Sequence, residues 1–142
     1  MKNISLIITL FLSFGAFSQN WIDVTKDKFG NKYLIKSTYV SKGNDNDFTS
    51  TPTSIKIWTK KIVLKIEDKT SKGKGKIYYN PYIIELSEFD CENSKSRVLS
   101  RIAYTSKGGV IMSEDLQYSD WNFIIPESVG ETILNKVCEL YN

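Results

Sequence analysis

Four carboxylates, Glu85, Glu88, Asp90 and Glu92, fall within eight residues with no base among them. In an extended chain Glu88, Asp90 and Glu92 share one face, which suits a calcium ion or, in a cleft, acid–base work on a glycosidic bond. Such hydrolysis needs a partner carboxylate across the cleft, and none is supplied elsewhere; the run reads instead as the wet face of a strand. GNDNDF at 43–48 offers further oxygen ligands but lacks the spacing and the closing glutamate of a calcium loop. The chain has two cysteines, Cys91 and Cys138, and no histidine. That removes Ser-His-Asp catalysis, a histidine-activated thiolate and the common histidine zinc sites. With no P-loop, dinucleotide fingerprint or CxxC either, enzyme is the losing class, and neither cofactor nor metal is expected.

Binding chemistry is better represented. From Lys60 to Lys76 there are seven lysines against Glu67 and Asp68. Lysine gives diffuse attraction to acidic proteins, sulfated glycans or anionic headgroups rather than bidentate recognition. The run leads into YYNPY, so Lys72, Lys74, Lys76, Tyr78 and Tyr82 form the candidate binding surface, with tyrosine as the anchoring type. Alternation sets Tyr79 opposite Tyr78 and Tyr82, and exposure is expected for only part of the cluster. The competing reading is a solubilising loop beside an edge strand guarded by lysine. Trp21, Trp58 and Trp121 suit an interface and a core equally well.

The elements that must position these residues are mostly strands. MKNISLIITLFLSFGAFS reads as a secretory signal peptide over 1–18, cleaved before Gln19, leaving one domain over 19–142 with no spanning segment. Removing Lys2 lowers the formal charge from +3 to +2, and nothing there demands a nucleic-acid partner. Strands are expected near 21–27, 32–40, 55–66, 76–91, 97–104 and 109–118. A slip in the alternation at Lys60 and Lys61 predicts a bulge or bend, Pro81 predicts an edge or bulge, and TSKGG predicts a hairpin turn. The polar stretches 41–53 and 67–76 read as exposed loops.

One helix is expected from Ser128, with Ser128 and Glu131 as a capping box after Pro126. Val129, Ile133, Leu134, Val137, Leu140 and Tyr141 make its apolar arc, with Cys138 at the border. An exported chain is oxidised, so Cys91 pairs with Cys138 by default and rivets the helix to the strand ending in EFDC. The fold class is therefore α+β, a single antiparallel sheet of about six strands with one disulfide-tied C-terminal helix.

Trp21, Val24, Trp58, Asp90, Cys91, the hairpin YTSKGGV and above all WNFIIPESVGETILNKVC, with Trp121, Ile124, Pro126, Ser128, Glu131 and Cys138 in place, resemble the bacterial surface-adhesin protein E family. The family often carries glycine where Glu127 stands. The resemblance implies the same sheet-and-helix domain with the same disulfide. It also implies adhesion to extracellular-matrix or serum proteins of the laminin or vitronectin type; an acidic glycan is the other ligand expected, and a homodimer is left open. The chain would act in the periplasm, at the cell surface or in the medium. A small-ligand carrier, marked by an apolar cleft between helix and sheet, and a periplasmic envelope module, pairing a sheet edge with a partner strand, are the alternatives.

Overall fold

Strand β7 (Tyr82–Asp90) is the axis on which the sheet is built, paired on one side with β4 (Ser54–Ile62) and on the other with β8 (Lys95–Tyr104). In this computed structural model residues 20–42, 54–68, 75–116 and 119–141 are described. The expected leader, most of both polar connections, and Lys72 and Lys74 lie outside the described residues. Beyond β4 come β2 (Lys32–Lys36) and β1 (Trp21–Lys26); beyond β8 comes β10 (Asn122–Phe123). These six strands form the path of an eight-stranded antiparallel sheet that β3 (Ser41–Lys42) and β9 (Val110–Asp115) complete. Strands β5 (Lys65–Asp68) and β6 (Lys76–Tyr79) pair with each other as a separate ribbon. Helix α1 (Val129–Tyr141) closes the chain.

The fold class is as expected, and several local expectations are corrected. Lys60 and Lys61 sit in unbroken register opposite Ile84 and Ile83, so no bulge lies there; the chain leaves the sheet only after Ile62. Pro81 marks no edge. It is fully buried where the ribbon returns to the most central strand, and its carbonyl accepts a hydrogen bond from Val63 N–H at 3.1 Å. Lacking an N–H, proline costs nothing at the first position before a ladder begins. Bulges lie elsewhere: in β8, where Ser87 faces Val98 and Leu86 faces Ser100, leaving Leu99 as the extra residue, in β1 at Val24 and in β9 at Ile111. The TSKGG turn forms as expected, with Thr105 N–H donating to Gly109 O at 2.7 Å and Gly108 at φ 87°.

One face of the sheet carries the core. Ile35, Ile55 and Ile57 are wholly buried and meet Phe89, Leu134 and Val137, with Ile22, Val24, Ile133 and Tyr141 packed around them. Burying each such aliphatic side chain is worth about 1.5–3 kcal/mol. Leu140 does not join them; it stays 41 % exposed, because the sheet is met only along the stripe of Leu134, Val137 and Tyr141. Glu131 N–H donates to Ser128 Oγ at 3.2 Å, and the Glu131 carboxylate accepts from Glu127 N–H at 2.7 Å. The box thus closes one residue before the cap, on a Glu127 held at φ 60°. Cys91 and Cys138 form the disulfide, with Cα atoms 5.8 Å apart.

The expected wet face of Glu88 and Asp90 is buried. Glu88 is fully enclosed and accepts from Ser54 Oγ at 2.7 Å and Arg97 Nε at 2.8 Å, with the second Arg97 nitrogen at 2.6 Å. The Trp121 ring lies 4.7 Å from that guanidinium. The strand after β9 returns along β8, where Leu116 N–H donates to Leu99 O and Ile124 N–H to Ser94 O, and lays Trp121 over the pair. Asp90 closes the β7–β8 turn, accepting from the backbone N–H groups of Glu92 and Asn93 and from Asn93 Nδ2.

Three outcomes check this architecture. Cys138→Ser, which opens a link across 47 positions, costs about 4 kcal/mol by chain entropy and lowers the melting temperature accordingly. Glu127→Gly relieves a left-handed backbone position on an exposed residue and raises stability by about 1 kcal/mol in denaturant unfolding. Glu88→Gln removes the charge that the buried Arg97 guanidinium meets at 2.6 Å and costs about 3–5 kcal/mol, whereas Glu88→Leu with Arg97→Met recovers most of that loss. A Glu88→Gln melt equal to wild type would show the pair to be solvated.

Candidate binding face

The face of the sheet away from α1 is set by the same alternation that builds the core. With Ile55, Ile57 and Thr59 turned to the helix side, Lys56, Trp58 and Lys60 turn to the other, as do Leu34 and Lys36 on β2 and Tyr82, Ile84 and Leu86 on β7. Trp21 stands opposite Lys36, and Tyr104 opposite Tyr82. Each of these side chains is half-buried. The register therefore gathers aromatic rings and lysines from five strands onto one surface.

Their mutual geometry is specific. The Lys36 ammonium lies 5.2 Å and the Lys60 ammonium 5.6 Å from the centroid of the one Trp21 ring. Lys60 also sits 4.4 Å above Tyr82, whose ring stacks on Tyr104 at 5.0 Å with 18° between the planes. Cation–π contacts of this kind hold an ammonium without using its three N–H donors. Among the described residues neither Lys36 nor Lys60 has a carboxylate partner. Burial lowers the pKa of Lys60 below that of an ordinary lysine, since desolvation penalises the charged form. Two cations thus share one ring with their donors uncommitted, beside a stacked pair of tyrosines. Such a surface offers an anionic group its hydrogen bonds and a flat ring or sugar its platform.

The candidate residues read from the sequence divide. Tyr82 belongs to this face. Lys76 and Tyr78 lie on the ribbon, where the Lys76 ammonium is 5.0 Å from the Tyr78 ring, Tyr78 is half-buried and Tyr79 is 68 % exposed. Trp21, Lys36, Lys60 and Tyr104 were outside the candidate set. Period-2 alternation could have placed Lys60 and Trp58 together, but the approach of Trp21 and Tyr104 depends on which strands are neighbours, and no local pattern states that.

Among the described residues no open cleft lies between helix and sheet where a small-ligand carrier would need one. Leu134 and Val137, 4 % and 0 % exposed, pack straight onto Ile35, Ile55 and Ile57 between helix and sheet. Among the described residues there is no group of three or more Cys, Asp or Glu side chains placed to hold a metal ion, and no helix long and apolar enough to cross a membrane.

Among curated proteins and among solved structures nothing matches this chain. A family model does: the one described as surface-adhesin protein E matches residues 21–139, from the first residue of β1 almost to the end of α1. That span takes in both cysteines of the disulfide, the whole β7 axis and the covered and open faces alike. The family's description is that of a surface adhesin. With most of its length so matched, the chain belongs to the surface-adhesin protein E family.

Proposed function

We propose that the protein is an exported adhesin-like binding domain that recognises a macromolecule outside the cell through the open face of its sheet. The ligand is an extracellular-matrix or serum protein of the laminin or vitronectin type, or an acidic glycan, engaged through an anionic group. The observation that carries this reading is the pair of ammoniums, Lys36 and Lys60, over Trp21, continued by Tyr82 and Tyr104. A half-desolvated lysine with uncommitted donors gains more from an incoming carboxylate or sulfate than a fully hydrated one does. The aromatic side chains supply contact area at little cost in conformational freedom. Lys76 and Tyr78 extend the cationic–aromatic composition onto the ribbon as a secondary contact. Family membership and the disulfide both fit a life outside the cytoplasm, with residues 1–18 as the export signal.

The test is binding of the oxidised protein to immobilised laminin, vitronectin and a sulfated glycan at low and at physiological salt. Saturable binding that survives physiological salt is expected, with Lys60→Met and Tyr82→Ala each weakening it about tenfold. Binding also falls as pH rises through the lowered Lys60 pKa, because only the protonated amine attracts the anion. Attachment confined to low salt would reduce the lysines to a diffuse counter-charge, and wild-type affinity in both variants would remove the open face from the reading.

A further inference from the structure

A second surface lies at one end of the sheet, apart from the open face. Strand register brings together there the β1–β2 turn at 27–31, the departure of the chain after Ile62, its return at Asn80 and Pro81, and the hairpin at 105–109. At this end apolar side chains stand out into solvent: Phe29 is 67 % exposed, Leu64 60 %, Tyr79 68 % and Val110 64 %. Lys26, Lys28, Lys32, Lys65 and Lys107 are exposed around them. The carboxylates placed near them are Asp27, Glu67 and Asp68, so the end carries a clear positive excess.

Phe29 is held out rather than left to collapse. The Asp27 carboxylate accepts from Phe29 N–H at 2.9 Å, Asn31 N–H at 3.0 Å, Asn31 Nδ2 at 2.7 Å and Tyr33 Oη at 3.0 Å, while Gly30 supplies the turn at φ 83°. The Lys28 ammonium stays 5.2 Å from the Phe29 ring. A phenylalanine fixed at a turn tip and ringed by lysines loses free energy in water for as long as it stays uncovered. A soluble polyanion would use the lysines and leave the apolar tips wet; a lipid interface satisfies both at once, with acyl chains for Phe29 and Leu64 and headgroup phosphates for the ammoniums.

We propose that this end of the sheet docks peripherally on an anionic phospholipid surface, with Phe29 and Leu64 inserted at the headgroup boundary and the surrounding lysines on the phosphates. The open face points along the bilayer rather than into it and stays available.

The test is co-sedimentation of the oxidised protein with vesicles of phosphatidylcholine alone and of phosphatidylcholine mixed with phosphatidylglycerol, at physiological salt. Binding is expected to the mixed vesicles only, and Phe29→Ser and Leu64→Ser each lower the partition coefficient about tenfold. Both residues are exposed, so unchanged melting curves will show that the fold is intact. Phe29→Trp reports insertion directly through a blue shift of its emission on mixed vesicles. Equal binding by Phe29→Ser, an unshifted Phe29→Trp spectrum, or no sedimentation with mixed vesicles would each overturn the proposal. So would recovery only on a sulfated glycan. Lys36→Met, over Trp21 on the open face and away from this end of the sheet, leaves vesicle binding unchanged, which separates failure here from failure of the open face as an adhesive site.

Discussion

One helix of 13 residues cannot cover both faces of an eight-stranded sheet, and most of what is distinctive in this molecule follows from that shortage. On the covered side the solution is the ordinary one: aliphatic side chains from β2 and β4 meet the Leu134–Val137 stripe, and the disulfide fixes the helix border to the end of β7. On the other side no second helix arrives among the described residues. There the sheet is protected piecewise, by Trp121 over Arg97 and Glu88 at one end and by bulky aromatics and lysine stems shielding each other across the middle. The half-burial of that middle region is what makes it suitable for a ligand: dry enough for an ion contact to count, open enough to be reached.

The buried ion pair shows how the shortage is met locally. Glu88 and Arg97 face each other on the central strands where an apolar pair would have served for stability alone. Their charges are satisfied by Ser54 and by each other, and Trp121 caps the guanidinium. Because Trp121 belongs to the segment that leads into α1, the pair couples the open face to the helix connection. Replacing it by hydrophobic side chains would keep the layer dry but would drop the polar register mark that aligns β4, β7 and β8.

Legibility from the sequence followed the range of each interaction. The helix, its Ser128 and Glu131 cap, its buried stripe and its partner cysteine were all readable, since each depends on spacing within a turn or on the simple arithmetic of two thiols. The strands expected near 21–27, 55–66, 76–91 and 97–104 were readable from alternation, although the structure breaks the second after Ile62 and the third before Tyr82. The fate of each strand's second face was not. Glu88 and Asp90 alternate as a solvated edge would, but Ser54 and Arg97 enclose Glu88 and Trp121 returns over the guanidinium. Two consecutive lysines at 60 and 61 break the alternation without a bulge, whereas the bulges at Val24, Leu99 and Ile111 are hidden by apolar side chains that suit either face. The residues of the candidate face were found in part for the same reason: Tyr82 announces itself in an aromatic run, but Trp21 reaches it only through Lys60 and two intervening strands.

The β5–β6 ribbon interrupts what would otherwise be a simple hairpin between β4 and β7. Its base is pinned by two backbone hydrogen bonds, Val63 N–H to Pro81 O at 3.1 Å and Asn80 N–H to Leu64 O at 2.9 Å, so the register of the central strands is settled before the ribbon begins. Whatever lies beyond that double latch is mechanically insulated from the core. A family built on this plan can lengthen, shorten or recompose the protrusion without renegotiating a single contact beneath the helix, and variation in what such domains grip is free to accumulate there while the chassis stays constant.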